Sequence, residues 1–192
     1  SGAPLGAPTV TALGPSSKVN VNDRVILSGS LTAFNDQNTS WFVDDESLDL
    51  NAISMTPVSK DFNGLLTRQG VSFPLAIAPF SLIAGRTYMF SLTSYPVVNA
   101  SKSASGKVTL VANAPPSPGT FNVNPTNGEA YTTNFEFIAS GWTDDPIDFP
   151  LSYSFSYRMS SRSDSLVLTS NSERQYVFSQ LPPGLVAESQ IV

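Results

Sequence analysis

The chain has 192 residues, of which 41% are hydrophobic and only 13% charged, with a net charge of −5. This balance excludes a disordered chain, which would be poorer in apolar residues, and argues against a nucleic-acid binder, which would carry a basic stripe. Cysteine and histidine are both absent, which removes Ser-His-Asp and Cys-His catalysis, disulfides, and cysteine or histidine zinc sites.

The chain opens on no signal-peptide pattern and is read as a mature product or a fragment. No apolar run approaches the roughly 18 residues needed to cross a bilayer. No segment keeps a helical period. Apolar and polar residues instead alternate with period 2, about every ten residues. In the first half the alternation predicts strands near 9–13, 24–29, 40–43, 73–78, 87–93 and 106–112. Asn22-Asp23, Asn63-Gly64 and Ala84-Gly85 supply turns between them. Phe62, Leu65 and Leu66 fall in a long segment before Phe73, read as a loop that caps the core in preference to an exposed contact patch.

In the second half strands are predicted near 120–124, 134–140, 151–158, 165–169 and 175–180, and residues 188–192 read as the opening of another. The clearest pattern places Leu151, Tyr153, Phe155 and Tyr157 on one face and Ser152, Ser154, Ser156 and Arg158 on the other. The expected architecture is all-β, with tandem immunoglobulin-like or fibronectin type III-like β-sandwiches spanning 1–113 and 114–192. Pro115, Pro116 and Pro118 mark the boundary, where a ladder cannot continue. The short connection is expected to hold the modules end to end.

Trp41 lies in the third predicted strand, where such sandwiches bury a large aromatic. Leu82, Gly85 and Tyr88 have the spacing of a tyrosine corner, in which a phenol bonds back to the backbone. The alternative is an ordinary core Trp and strand Tyr. Leu181-Pro182-Pro183-Gly184 stands at the corresponding corner of the second module with no matching Tyr, so that module is expected to be incomplete at its C-terminal end.

A set of ordered pieces carries a resemblance: residues 82–90 (Leu-Ile-Ala-Gly-Arg-Thr-Tyr-Met-Phe), 113–116 (Asn-Ala-Pro-Pro) and 123–128 (Val-Asn-Pro-Thr-Asn-Gly). Residues 132–135 (Thr-Thr-Asn-Phe), 141–145 (Gly-Trp-Thr-Asp-Asp) and 150–155 (Pro-Leu-Ser-Tyr-Ser-Phe) continue it. In this order and spacing the stretch from about residue 20 to 160 resembles the REJ (receptor for egg jelly) region of polycystin-type cell-surface proteins. Relatives often carry two cysteines where this chain has Phe121 and Ala139, a large and a small apolar residue that could fill a disulfide's volume. The resemblance implies an extracellular segment of a larger, membrane-anchored surface protein, used in adhesion, recognition or mechanical linkage. The family's transmembrane and channel parts are absent from this chain, so no transport activity carries over.

Two acidic clusters and two sequons are the candidate chemistry. Asp44, Asp45, Glu46 and Asp49 follow the Trp41 strand and read as a solvated loop in preference to a cation site or a hydrolytic carboxylate pair. Asp144, Asp145 and Asp148 are the calcium candidates, since calcium takes six to eight oxygens. A turn bent by Pro146 and Pro150 is the plainer reading. Asn38-Thr39-Ser40 and Asn99-Ala100-Ser101 are glycosylation sequons, Asn38 and Asn99 both expected in loops.

The expected function is therefore an extracellular structural or adhesion segment at the cell surface, not an enzyme, with no catalytic residue and no cofactor beyond that calcium. Its expected partners are other extracellular domains or glycans, and not nucleic acid. A glycan-binding module would need an exposed aromatic row, for which Trp142, Tyr131 and Tyr95 are the candidates. A carboxylate-based glycoside hydrolase region would need two acids facing each other across a cleft.

Overall fold

The structure, a computed structural model, describes residues 7–63, 70–160 and 162–184. It divides into two compact units, Ser1–Ala114 and Pro115–Val192.

In the first unit β1 (Thr9–Leu13), β2 (Val25–Thr32), β5 (Val71–Ser72) and β6 (Leu75–Ile77) form one sheet, with β2 pairing all three others. The facing sheet has the order β4-β3-β7-β8, from β4 (Ser59–Phe62), β3 (Gln37–Val43), β7 (Thr87–Pro96) and β8 (Ala104–Val111). Every pairing is antiparallel. Two such sheets closed over one core form an immunoglobulin-like sandwich, the short β4 lying beside β3 as in fibronectin type III-like modules. The period-2 alternation decides which side chains face inward. On β7, Tyr88, Phe90 and Leu92 are fully buried, while Thr87 and Met89, which point the other way, are exposed. Leu27, Leu31, Trp41, Leu75, Ile77 and Leu110 complete the densest part of the core.

Trp41 is 1% exposed, and its indole Nε1 donates to the Phe73 carbonyl at 3.0 Å. Gly29 on β2 makes room for it, since a Cβ there would lie 2.7 Å from the Trp41 ring and 2.8 Å from Leu92. Tyr88 closes the expected corner. The Ile83 backbone N–H donates to the Tyr88 hydroxyl at 2.9 Å, with Gly85 at φ +76° allowing the bend.

Several expectations change in detail. Phe62 is not in a loop. It ends strand β4, is 6% exposed and meets Phe73 edge to face with ring centroids 5.7 Å apart. Leu65 and Leu66 lie outside the described residues. A four-residue helix, α1 (Leu50–Ile53), also interrupts the expected all-strand pattern; Asp49 caps it and Leu50 buries its side chain.

In the second unit β9 (Thr120–Asn124), β10 (Asn134–Ser140) and β13 (Tyr176–Gln180) form a sheet in the order β13-β10-β9, and β11 (Tyr153–Tyr157) pairs with β12 (Leu166–Ser172). The core is smaller: Phe135, Phe137, Ala139, Phe155 and Leu181 are buried. Phe121 and Ala139 are register partners across β9 and β10, so the large and small side chains do face each other. The expected alternation on β11 is present, but Phe155 alone is fully buried while Leu151, Tyr153 and Tyr157 are half-buried. The strand expected at 188–192 lies outside the described residues. At the boundary, the Asn113 N–H donates to the Val19 carbonyl within the first unit, and Ser117 bridges to Thr143 within the second.

Candidate functional site

The first acidic cluster is built into the scaffold. Asp44 extends the β3–β7 ladder, and its Oδ1 accepts the Met89 N–H at 2.8 Å. Asp49 accepts the Asn51 N–H at 3.0 Å as the cap of α1. Asp45 accepts the Ser47 N–H at 2.9 Å and the Ser47 hydroxyl at 2.6 Å, and its other oxygen meets Arg86 Nη1 at 3.1 Å. The Ser47 hydrogen bonds, with the Arg86 guanidinium behind them, hold the Asp45 carboxyl below its ordinary value of 3.8. Three of the four carboxylates thus cap backbone groups or anchor a loop. A carboxylate held low in this way favours its ionised form and is unsuited to donate a proton as a general acid.

The second cluster is compact. Carboxylate oxygens of Asp144, Asp145 and Asp148 lie within 4.8 Å of one another, with Asp144 and Asp148 half-buried and Asp145 exposed. Asp144 and Asp145 precede a 3-10 turn, Pro146–Asp148, and Asp148 ends it. The Asp145 N–H donates to Asp144 Oδ1 at 2.8 Å, and the Asp148 N–H donates to the Asp145 carbonyl at 2.9 Å. Binding through one oxygen each, three carboxylates provide half of the smallest calcium shell, and one of their oxygens already serves the turn. The hydrogen bonds that define the turn account for the position of Asp144.

The sequons part company. Asn99 caps a 3-10 turn, Ala100–Lys102, is exposed, and its Oδ1 accepts the Ser101 hydroxyl at 2.6 Å. Asn38 is not in a loop. It is half-buried near the start of β3, opposite Tyr95 on β7. Thr39, the next residue, is 1% exposed and hydrogen-bonded to Ser94 at 2.8 Å. Polar residues on the outer face of a strand imitate loop composition, which is why the sequence misplaced this one.

Sequence reasoning also missed a buried polar ladder. Gln37, Thr39 and Ser94 are at most 1% exposed. Ser94 joins Thr39 at 2.8 Å and donates to Gln37 Oε1 at 3.1 Å, and Gln37 in turn donates to Asn35. The alternation assigned Gln37 and Thr39 no inward role because their residue types are normally exposed.

The aromatic candidates for a glycan row are dispersed within their own units. Tyr95 is half-buried on the outer face of β7. In the second unit Tyr131 is 67% exposed in a turn, and Trp142 packs against the core.

The REJ domain model matches residues 12–192. No curated protein sequence matches the chain significantly. Among solved structures, the crystal structure of the titin domains Z1Z2 in complex with telethonin aligns at 17% identity with a TM-score of 0.45, covering 98% of this chain and 85% of that one.

Proposed function

This chain belongs to the REJ domain family, and on that premise we propose that it is a non-catalytic structural and adhesion segment of a larger cell-surface protein. The match across residues 12–192 carries the reading, since it spans nearly every described element. The chemistry of the first unit agrees with it. Its acidic loop caps backbone and anchors Arg86, and its buried polar groups stitch two neighbouring strands together. Exposed Asn99, with its acceptor geometry fixed by Ser101, is the sequon best placed to carry a glycan in an extracellular setting.

Two experiments test this. An antibody raised against the folded chain should label intact cells of the source organism; labelling seen only after permeabilisation contradicts an extracellular role. Screens for esterase, peptidase and glycosidase turnover should find none. Turnover that disappears in Asp45→Asn or Asp145→Asn would make the chain an enzyme.

A further inference from the structure

The sheet β13-β10-β9 has an outer face that the core does not use. Alternation on β10 turns Phe135, Phe137 and Ala139 inward and leaves Asn134, Glu136, Ile138 and Ser140 outside. Strand register then assembles the outer side chains in rows. Tyr176, Ile138 and Asn122 form one row across the three strands, and Phe178, Glu136 and Asn124 form the next. The face is thereby divided lengthwise, with aromatic rings on β13, amides on β9, and Ile138 and Glu136 between them.

Both rings are held in solvent. Tyr176 is 51% and Phe178 52% exposed, and their centroids lie 6.0 Å apart at an interplanar angle of 70°. Meeting edge to face, the two rings form a corner with an open apolar wall. Exposed aromatic surface rimmed by polar groups is the composition of a ligand-binding face. Asn122 and Asn124 are exposed and Glu136 is half-buried. Among the described residues none of these three side chains has a hydrogen-bond or ion-pair partner. Each amide offers an acceptor and two N–H donors, and the carboxylate accepts only. With neighbouring strands about 4.8 Å apart, the rings of β13 stand roughly 10 Å from the amides of β9.

These groups define the ligand's chemistry. It must lay an apolar surface on the rings and present groups that both donate and accept to the amides and the carboxylate. A sugar ring does both, through its C–H face and its hydroxyls. The only charged side chain on the three strands is Glu136, and the chain carries a net charge of −5, so an anionic ligand is disfavoured. We propose that the outer face of β9, β10 and β13 binds a neutral glycan lying across the strands. One sugar packs against Tyr176 and Phe178, and the next lies within reach of Glu136, Asn122 and Asn124. The strand at 175–180 is legible in the sequence, but only its pairing with β10 decides which of its side chains point outward. The site gives a ligand class to the adhesion reading above and rests on that reading for its biological setting, not for the binding itself.

The test is a titration of the full, isotope-labelled chain followed by NMR. The probes are neutral oligosaccharides of glucose, mannose, galactose and N-acetylglucosamine, with sulfated and uronic-acid oligosaccharides as the charged comparison. At least one neutral oligosaccharide should shift the amides of residues 120–124, 134–140 and 176–180. Tyr176→Thr and Phe178→Thr keep a strand-forming residue and remove a ring; each should weaken binding about tenfold. Asn124→Ala leaves both rings in place and should weaken it about threefold, which keeps the test decisive if a threonine variant fails to fold. The proposal is overturned if no neutral probe shifts this face, if the shifts map elsewhere, or if folded variants bind as the wild type does. Tighter binding of the sulfated or uronic-acid probes overturns it as well. So do shifts of the same face that follow protein concentration without sugar, since they assign it to a second copy. Failure here leaves antibody labelling of intact cells unaffected, and absence of that labelling leaves the titration unaffected, so the two readings fail separately.

Discussion

Trp41 is the residue on which the first unit depends most visibly. It is 1% exposed, hydrogen-bonded to the Phe73 carbonyl, and seated where Gly29 lacks a side chain. Trp41→Ala should cost about 3–5 kcal/mol, read as the loss of midpoint in urea unfolding of that unit; an unmoved midpoint would show that the indole is not in the core. Gly29→Ala should destabilise the same transition by about 1–3 kcal/mol, because the new methyl would lie 2.4 Å from the Phe73 carbonyl oxygen and also crowd the indole and Leu92. Asp45 gives a pH signature. Its carboxyl is held below 3.8 by Ser47 and then Arg86, so its contribution is fully present above the unfolded value and is lost as pH falls through the folded one. Asp45→Asn should therefore lower the melting temperature slightly at pH 6. The difference should shrink under acid as the wild-type carboxylate protonates. A difference that grows below pH 4 would contradict the assigned interactions. The site is exposed and salt will weaken the effect.

At the scale of elements, the corner before β7 is the joint that fixes strand direction. Tyr88→Phe keeps the ring and removes the acceptor for the Ile83 N–H; it should cost about 0.5–1.5 kcal/mol. No measurable loss would mean that water replaces the phenol there. The turn carrying Asp144, Asp145 and Asp148 is explained by its own backbone hydrogen bonds. Calcium at about 1 mM, the range in which extracellular modules bind it, should leave the melting of the second unit unchanged. A calcium-dependent rise abolished by Asp145→Asn would establish a metal site. The legibility of each element followed from its burial. β1, β9 and β10 have the bounds that alternation predicts, most clearly β10, where buried Phe135, Phe137 and Ala139 alternate with more exposed neighbours. β4 escaped detection because Ser59, Lys60 and Asp61 are exposed at a sheet edge and only Phe62 reaches the core. α1 is too short to show a helical period and is held by one cap and one buried leucine. Asn38 misled for the opposite reason, as the outer face of a strand reads like a loop. The tyrosine corner was legible because three residue types at fixed spacing specify a single hydrogen bond.

For the whole molecule, two separate hydrophobic clusters, one in each unit, imply two cooperative unfolding transitions. The first unit has both sheets closed over a densely buried core, whereas in the second Phe121 is 47% exposed on an inward face. The first unit should therefore be the more resistant of the two. A structural segment at a cell surface must also resist extension. In the first unit β1 pairs antiparallel with β2, and β8 pairs with β7, so tension applied through its ends loads these ladders before the core opens. Single-molecule extension of the full chain, held at both ends, tests the proposed structural role most directly. The expected result is a discrete rupture releasing roughly 30–35 nm for the first unit, the length of its roughly 100 residues at about 3.5 Å each less the folded span, together with a separate, weaker event for the second. A smooth extension at low force with no discrete rupture would contradict the role of a tension-bearing surface segment.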